Sequence, residues 1–404
     1  MHIKVDSLNG IIKAPPSKSH GQRLLLISAL SAKQSQIENL GLDNDTTSMK
    51  VALNQLNQNK IDKALKPCTI DVAESGFAFR TLSFVGLNFS SNFQITGSGT
   101  LQNRNQKSTI QLLEQLGLNV GHQDLRLPIE IKGEIKNMHL EVDGSEGSQH
   151  VSGLFFLAVC TPGNWKIKLN NLKSRPYFEL SLKVLTQAGF KYKRKGDYFE
   201  FIGKQELELQ KLKVEGDWSS MAAFCVGAAI KGKITLLGLN QNSLQPDIQI
   251  LGVLEQFGAN IYWDSGLLHI ESTRCRNGFN FDCSDCPDLF PILVVLACAA
   301  TSMSEIKGIG RLLNKESNRL LAMQQALNQW GVDYLIIDDS IQIHGKQYIK
   351  DAMVQTKNDH RIAMAGAIAA LLNKNGQNID VPMCVKKSYP DFFDDYKALG
   401  ALIN

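Results

Sequence analysis

The chain has 404 residues, of which 43% are hydrophobic and 20% are charged, and its formal net charge is +4. These proportions are ordinary for a soluble globular protein. The length predicts two domains, because a single core seldom grows beyond about 250–300 residues. Lysines and arginines are spread along the sequence rather than clustered, which argues against a nucleic-acid partner. No apolar run reaches the ~18 residues of a membrane span, so we expect no membrane partner either.

The N-terminus and the cysteines predict a cytoplasmic protein. Residues 1–6 lack the basic-then-apolar order of a signal peptide and are typical of a first strand. The eight cysteines lie mostly inside apolar runs, as buried thiols in a reducing compartment do. Cys283 and Cys286 form a single C-x-x-C pair without a second pair, so no zinc site is expected.

Six copies of one pattern organise the sequence. In each copy a short polar segment runs directly into a strongly apolar one, and successive copies lie about seventy residues apart. The apolar segments have too few polar positions for surface helices, so they predict helices that are buried on all sides. The copies begin near residues 17, 75, 147, 219, 287 and 359.

Six amphipathic segments alternate with the buried ones. Their apolar residues recur at steps of three and four, which predicts half-exposed helices, and most of them end on a glycine that suits a left-handed cap. Pairs of short alternating strands follow, as in hairpins; examples are 192–202, 260–271 and 334–344. The predicted amphipathic helices span 45–56, 104–117, 176–189, 246–258, 315–331 and 390–400.

This alternation predicts an α/β fold with two domains of three repeats each. In each domain three sheets would lie outside and the buried helices inside, giving a two-domain inside-out α/β barrel. The boundary is expected at residues 214–217, where the fourth copy begins, and the opening strand before Ala14 is expected to pair with the C-terminal half. The predicted domains are therefore 14–214 and 1–13 plus 215–404.

The starts of the buried helices predict an anion-binding site. Lys18, Arg23, Arg80 and Arg361 lie at or just inside these starts, where amide N–H groups and the helix dipole also favour negative charge. If the helices point the same way, their positive ends converge on a cleft between the domains. Such a cleft favours a ligand that carries both phosphate and carboxylate.

Two carboxylates depart from the positive pattern. Asp288 follows Pro287 at the start of the fifth buried helix, and Glu316 lies at the start of the fifth amphipathic helix. Helix capping alone would account for either residue, but a reaction that transfers protons also needs such groups, so both are acid/base candidates. No nucleotide-binding glycine loop and no His-x-x-x-His pair is present, so neither a cofactor nor a metal is expected.

Together these residues resemble the EPSP synthase (3-phosphoshikimate 1-carboxyvinyltransferase) family along the whole chain. The resemblance implies two three-repeat domains with helices inside. It also implies transfer of the enolpyruvyl group of phosphoenolpyruvate to the 5-hydroxyl of shikimate 3-phosphate, a shikimate-pathway step towards chorismate and aromatic amino acids. The matching motifs are Ser17-Lys-Ser-x-x-x-Arg23, Gly76-x-Ala-x-Arg80, Arg104, Asp143-Gly-Ser with Ser148-Gln149, Ser174-x-Pro-Tyr177, Pro287-Asp288, Lys315-Glu-Ser-x-Arg319, Asn358-Asp-His-Arg361 and Lys387-x-x-Pro390-Asp391.

The resemblance also implies a role for each matching residue. Asp288 would be the base for the 5-hydroxyl, Glu316 the partner in protonating the methylene carbon, and Lys18 and Lys387 would assist the departing phosphate. Residues expected to bind shikimate 3-phosphate are Lys18, Ser19, Arg23, Ser148, Gln149, Ser174, Tyr177, Asp288 and Lys315. Residues expected to bind phosphoenolpyruvate are Lys18, Gly76, Arg104, Gln149, Arg319, Arg361 and Lys387.

Several positions depart from the family pattern. Gly21 and Gly147 each stand where a serine is usual, Asn318 replaces an aspartate, and Arg104 lacks a following proline. Arg311 occupies a position where asparagine is common, and its charge would compensate for the missing hydroxyls. We therefore expect Arg311→Asn to weaken the apparent affinity for shikimate 3-phosphate.

Two alternative functions fit the sequence less well. The sister transferase that acts on a UDP-N-acetylhexosamine usually carries a reactive cysteine in a glycine-rich loop, whereas the corresponding segment 97–103 has none. A non-catalytic RNA- or anion-binding repeat protein would leave Asp288 and Glu316 unexplained. The expected partners are small-molecule substrates, and the expected state is a cytoplasmic monomer.

Overall fold

The structure is a computed structural model that describes residues 1–31, 36–62, 68–209, 212–313 and 315–404. Among these residues the α-helices are α1 (Lys18–Leu30), α2 (Asn44–Asp62), α3 (Gly76–Val85), α4 (Lys107–Gln115), α5 (Gln149–Cys160), α6 (Arg175–Gln187), α7 (Trp218–Lys231), α8 (Ile250–Phe257), α9 (Phe290–Ala299), α10 (Arg319–Trp330), α11 (His360–Ala369) and α12 (Phe392–Ala398). Short 3-10 helices cover Gly86–Asn88, Gly99–Asn103, Pro246–Gln249, Ile309–Leu312, Ala370–Leu372 and Pro382–Lys387.

The strands are short, most of them two to five residues long. They are β1 (His2–Lys4), β2 (Leu8–Lys13), β3 (Ile37–Glu38), β4 (Cys68–Asp71), β5 (Asn92–Thr96), β6 (Asn119–Gln123), β7 (Arg126–Lys132), β8 (His139–Asp143), β9 (Asn164–Asn170), β10 (Lys193–Lys195), β11 (Tyr198–Ile202), β12 (Leu212–Lys213), β13 (Gly232–Leu237), β14 (Asn260–Asp264), β15 (Leu267–Glu271), β16 (Asn280–Asp282), β17 (Met303–Lys307), β18 (Tyr334–Ile337), β19 (Ser340–His344), β20 (Met353–Val354), β21 (Gln377–Ile379) and β22 (Leu402–Ile403).

The chain divides into two compact units, each with its own hydrophobic core. The N-terminal unit is Lys18–Val214, and the C-terminal unit combines Met1–Ser17 with Glu215–Asn404. Residues 14–17, which the sequence assigned to the first domain, lie in the C-terminal unit instead. The reason is that this segment continues the pairing of β2: the Ala14 N–H donates to the Leu237 carbonyl at 2.8 Å, and the Ser17 N–H donates to the Glu215 carbonyl at 2.8 Å.

Within the described residues, five four-stranded sheets share one topology, in which a parallel pair is extended by antiparallel strands. In β4–α3–β5 and β8–α5–β9 of the N-terminal unit, the strands on either side of a buried helix pair in parallel. The same holds for β16–α9–β17 and β20–α11–β21 of the C-terminal unit. The strand orders are β4-β5-β7-β6, β10-β11-β9-β8, β14-β15-β13-β2, β16-β17-β19-β18 and β20-β21-β1-β22, beside a two-stranded sheet β12-β3.

Two strands are exchanged between the repeats. Strand β2 leads into α1, yet it pairs in parallel with β13, which follows α7. Strand β12 leads into α7, yet it pairs in parallel with β3, which follows α1. An isolated bridge joins Pro16 to Gly216 between the two connecting segments. The chain therefore crosses between its two units at two neighbouring segments, 14–17 and 214–217.

The predicted placement of buried helices inside and sheets outside is confirmed. Every residue of α9 and α11 is buried, and α5 and α7 are buried over nearly their whole length. Strands β8 and β9 instead alternate buried and exposed residues, so one face of their sheet packs on the core. The predicted left-handed caps are found at Gly258 and Gly331, with φ of 99° and 71°. No described helix combines the length and hydropathy that crossing a bilayer requires.

Candidate active site

Arg319, the first residue of α10, is the centre of a charged cluster in the C-terminal unit. Its side chain is fully buried and its guanidinium donates to three carboxylates. The distances are 2.7 Å to Asp288 Oδ1, 2.8 Å to Glu316 Oε2 and 2.9 Å to Asp359 Oδ2. The two acid/base candidates from the sequence thus meet on one guanidinium, although they are 28 positions apart in the chain.

Helix starts position these carboxylates. The Asn318 side chain accepts from the Leu321 N–H at 3.0 Å and caps α10, so Glu316 precedes this helix. The fifth amphipathic helix, predicted over 315–331, therefore begins at Arg319 rather than at residue 315, because asparagine is a strong N-cap residue. Asp359 caps α11 in the same way, accepting from the Arg361 N–H at 2.9 Å.

Asp288 is held as a carboxylate. Burial alone would raise its pKa, but the cations of Arg319 and Arg361 outweigh burial and hold the pKa of Asp288 well below its ordinary value. Its second oxygen, Oδ2, lies 3.4 Å from Arg361 NH2. Both carboxylate oxygens of Asp288 therefore face an arginine.

Two nitrogen atoms of the buried Arg361 guanidinium can still donate hydrogen bonds to a ligand. Its side chain is 5% exposed, and its Nε and NH1 atoms have no hydrogen-bond partner among the residues that the structure describes. A buried donor without a partner costs free energy, on the order of 1–3 kcal/mol. An anionic ligand could supply acceptors to this guanidinium.

Two lysines complete the predicted group in this unit. Burial, with the nearby charges of Arg311 and Arg319, lowers the pKa of Lys315 to about 8. Lys387, at the end of a 3-10 helix, donates from Nζ to the Asn358 carbonyl at 2.8 Å. Asn358 itself has a φ of 58°, a left-handed backbone that non-glycine residues seldom adopt.

In the N-terminal unit, Lys18 begins α1 and pairs with a carboxylate that the sequence did not single out. Its Nζ lies 3.0 Å from Asp45 Oδ2, in the first turn of α2. Gln22 Nε2 donates to the Asp45 carbonyl at 3.1 Å and to Ser75 Oγ, the cap of α3, at 3.2 Å. These bonds tie together the starts of α1, α2 and α3.

A second basic group surrounds Gly76. Arg80 NH1 donates to Gln149 Oε1 at 2.9 Å, which brings the starts of α3 and α5 together. A Cβ atom at Gly76 would lie 2.9 Å from Arg80 NH1 and 3.1 Å from Arg104 NH1, so glycine leaves room for both guanidinium groups. Arg104 NH2 donates to Thr100 Oγ1 at 3.1 Å, while its buried Nε has no hydrogen-bond partner in the described part of the chain.

Seven predicted ligands of shikimate 3-phosphate lie on α1 and at the starts of α5 and α6: Lys18, Ser19, Arg23, Ser148, Gln149, Ser174 and Tyr177. Arg23 is directed at its own unit, since it donates to the carbonyls of Ser19 and Tyr177 at 2.6 and 2.9 Å. Ser148 immediately precedes α5 and is buried. Ser174 precedes α6 with a left-handed φ of 50°.

The structure adds residues that sequence reasoning missed. Asp359 and Asp45 each pair with a predicted site cation, and both have a recognisable signal, because an aspartate stands at a helix start. Arg311, expected to compensate for lost hydroxyls, donates from NH1 to the Ser284 carbonyl. No group of three or more His, Cys, Asp and Glu side chains suited to a metal ion occurs among the described residues.

Asp43 makes stability depend on pH. Burial raises its pKa to about 6, although its Oδ1 accepts from the Thr46 N–H at 2.9 Å. A raised folded-state pKa favours folding at low pH and loses that contribution as pH rises from about 4 through 6. Asp43→Asn keeps the acceptor, so we expect it to be more stable than the unmodified protein at pH 7, by about 2–3 kcal/mol, and equal at pH 4. Unfolding by urea across this pH range measures the difference.

Asp71→Asn is a matched control, because Asp71 also accepts a backbone N–H through Oδ1 but is exposed. This control should leave the pH dependence of stability unchanged. An Asp43→Asn variant with the same pH dependence as the unmodified protein would contradict the assignment.

Comparison with known families gives the identification. A family model described as EPSP synthase (3-phosphoshikimate 1-carboxyvinyltransferase) matches residues 3–396. The chain belongs to the EPSP synthase family. The match covers both units and every predicted site residue, and the name agrees with the resemblance inferred from the motifs.

Individual relatives agree with the family assignment. The chain is 34% identical to a 3-phosphoshikimate 1-carboxyvinyltransferase of Clostridium acetobutylicum, over 97% of this chain and 95% of that protein. It is 33% identical to the enzyme of that name from Thermococcus kodakarensis, over 98% of both.

Solved structures agree in fold. EPSP synthase from Acinetobacter baumannii superposes with a TM-score of 0.81 at 22% identity, covering 100% of this chain and 99% of that one. The enolpyruvyl transferase NikO from Streptomyces tendae gives a TM-score of 0.74 at 12% identity, covering 100% and 97%. The predicted fold class is thereby confirmed at the level of the EPSP synthase architecture.

Proposed function

We propose that this chain transfers the enolpyruvyl group of phosphoenolpyruvate to the 5-hydroxyl of shikimate 3-phosphate, giving 5-enolpyruvylshikimate 3-phosphate and inorganic phosphate. Membership of the EPSP synthase family and full-length relatives of that name support the reaction. The observation that carries the mechanism is the meeting of Asp288 and Glu316 on Arg319, next to an arginine with unused donors.

In this proposal both units contribute to substrate binding. Residues assigned to shikimate 3-phosphate are Lys18, Ser19, Arg23, Ser148, Gln149, Ser174, Tyr177, Asp288 and Lys315. Residues assigned to phosphoenolpyruvate are Lys18, Gly76, Arg104, Gln149, Arg319, Arg361 and Lys387. Seven of these fourteen residues are lysines or arginines, which suits two substrates that each carry a phosphate and a carboxylate.

The proton transfers follow from the two carboxylates. In the addition step the 5-hydroxyl oxygen bonds to C2 of phosphoenolpyruvate and its proton passes to Asp288. The methylene carbon gains a proton from Glu316, which must enter this step as the protonated acid. A tetrahedral ketal phosphate results. In the elimination step the bond from C2 to the phosphate oxygen breaks and the methyl group returns a proton to Glu316. The departing phosphate takes up the proton that came from the 5-hydroxyl, and Lys18 and Lys387 neutralise its remaining charge.

Substrate binding would also adjust the basicity of Asp288. With both arginines facing it, the pKa of Asp288 lies too low for an efficient base. A bound anion at Arg319 and Arg361 offsets part of their positive charge, which raises the pKa of Asp288. Asp288 therefore becomes a better base only once phosphoenolpyruvate is in place.

The direct test is phosphate release when both substrates are mixed with the protein. We expect phosphate to appear with shikimate 3-phosphate as acceptor and not with UDP-N-acetylglucosamine. Release with the nucleotide sugar alone would support the sister transferase. Absence of release with either acceptor, from a folded protein that binds them, would overturn the proposal.

Deprotonation of Lys315 is expected to lower kcat/KM for shikimate 3-phosphate at alkaline pH. Because its amine has a pKa of about 8, it loses its positive charge above that pH and attracts the shikimate phosphate less. We expect kcat/KM for shikimate 3-phosphate to fall about five- to tenfold between pH 8 and pH 9.5. Lys315→Arg, which stays charged, should flatten this decline. An unchanged alkaline decline in the variant would show that another group titrates.

We further propose a cytoplasmic monomer. All eight cysteines are free thiols, most of them buried, as in proteins of a reducing compartment. Light scattering coupled to size-exclusion chromatography should give a mass near 44.7 kDa. A mass of twice that value would contradict the monomer.

A further inference from the structure

We infer that Ser181, on α6, is a positioning residue for the binding of shikimate 3-phosphate. It holds Arg23 on α1 and, through Arg23, the backbone of Ser19 and Tyr177. The inference deepens the proposed function and depends on it for the identity of the ligand.

The hydrogen bonds of Ser181 connect three helices, α1, α5 and α6. Its Oγ accepts from Arg23 Nε at 2.7 Å and lies 2.8 Å from Ser152 Oγ on α5. The same oxygen lies 3.1 Å from the Tyr177 carbonyl, one turn earlier in α6. Ser181 and Ser152 are fully buried and Arg23 is 2% exposed, so water does not replace these partners.

Arg23 connects the hydrogen bonds of Ser181 to the backbone of two predicted binding residues. Its NH1 donates to the Ser19 carbonyl at 2.6 Å and its NH2 to the Tyr177 carbonyl at 2.9 Å. Its guanidinium carbon lies 4.6 Å from the centre of the Phe77 ring, which limits movement on that side. The planar guanidinium thus fixes the start of α1 against the start of α6.

The three connected helices carry most of the acceptor-binding residues. Ser19 lies on α1, Gln149 begins α5, and Tyr177 lies in the first turn of α6. A buried guanidinium that loses one acceptor must find another or shift. If the Ser181 hydroxyl is removed, we expect Arg23 to move, and the Ser19 and Tyr177 backbones to move with it.

The test compares Ser181→Ala with a matched control, Ser83→Ala. Ser83 is equally buried in α3, but its hydroxyl donates to the Phe79 carbonyl of its own helix at 2.7 Å rather than to a predicted binding residue. We expect Ser181→Ala to raise both KM and Kd for shikimate 3-phosphate about tenfold. KM for phosphoenolpyruvate and kcat should stay within about twofold. Ser83→Ala should leave all four values within about twofold.

A conservative variant and a structural measurement separate positioning from packing. Ser181→Thr retains a hydroxyl, so it should recover most of the affinity that Ser181→Ala loses. Hydrogen exchange should rise in Ser181→Ala over segments 18–23 and 174–181 and stay unchanged in Ser83→Ala. Unchanged affinity in a folded Ser181→Ala, or equal losses for both substrates, would overturn the inference.

The two proposals fail in different ways. If the unmodified protein neither binds shikimate 3-phosphate nor releases phosphate, the proposed function fails. Hydrogen exchange then decides the role of Ser181 by itself: exchange that rises in Ser181→Ala over 18–23 and 174–181 supports positioning, and unchanged exchange refutes it.

Discussion

Asp288→Asn is expected to lower kcat by about 10²–10⁴-fold, the usual contribution of a general base, while the protein remains folded. The asparagine carbonyl oxygen can still accept from Arg319 NH1, which the carboxylate does at 2.7 Å. What is lost is the ability to take the proton of the 5-hydroxyl. Pre-steady-state phosphate release measures the chemical step, and calorimetry should give a Kd for shikimate 3-phosphate within about tenfold of the unmodified protein.

The control for this substitution is Asp351→Asn, an exposed aspartate outside the cluster. It should leave kcat unchanged. If Asp288→Asn keeps kcat within tenfold, Asp288 is not the base and the proton must go elsewhere, with Glu316 the next candidate.

Arg319→Met is expected to be the most destabilising substitution in the cluster. Arg319 has no exposed side-chain surface, and its removal leaves the buried Asp359 with uncompensated charge. Breaking a buried ion pair in this way costs about 3–5 kcal/mol. For a unit of this size the melting temperature should fall by roughly 6–20 °C. Calorimetry and urea unfolding measure the change.

Arg194→Met provides the comparison, since Arg194 pairs with Glu179 at 2.8 Å but both side chains are about a third exposed. An exposed pair contributes about 0–1 kcal/mol. Equal destabilisation by the two substitutions would show that the buried cluster has no special weight in stability.

Much of the fold was predictable because each repeat contains an apolar segment that can only form a buried helix. A segment such as α9, apolar at all ten positions, has no surface face, so its place inside was determined by composition. The hairpin predicted over 192–202 is confirmed as β10 and β11, because alternating residues bounded by a turn specify it locally. Helices and hairpins that are determined by neighbouring residues could therefore be predicted from a single sequence.

Other features depend on contacts between distant residues. Nothing in the sequence around β2 shows that it pairs with β13 rather than with a strand following its own helix. The partners of Arg319 lie 31, 3 and 40 positions away, so its central place in the cluster could not be inferred from spacing. Ser181 gave no signal, since one serine on an amphipathic helix is ordinary. These properties require coordinates.

The pairing of β1 with β21 and β22 has a consequence for synthesis. β1 lies between β21 and β22, and the His2 and Asn404 backbones bond reciprocally at 2.9 Å, so a strand made before the N-terminal unit pairs with strands made after it. The N-terminal unit, Lys18–Val214, is made before β21 and β22 and can fold during translation, whereas β1 must wait for these two strands. Until β21 and β22 are made, β1 has neither of its partner strands, so a chaperone that protects unpaired strand edges would be most useful at β1.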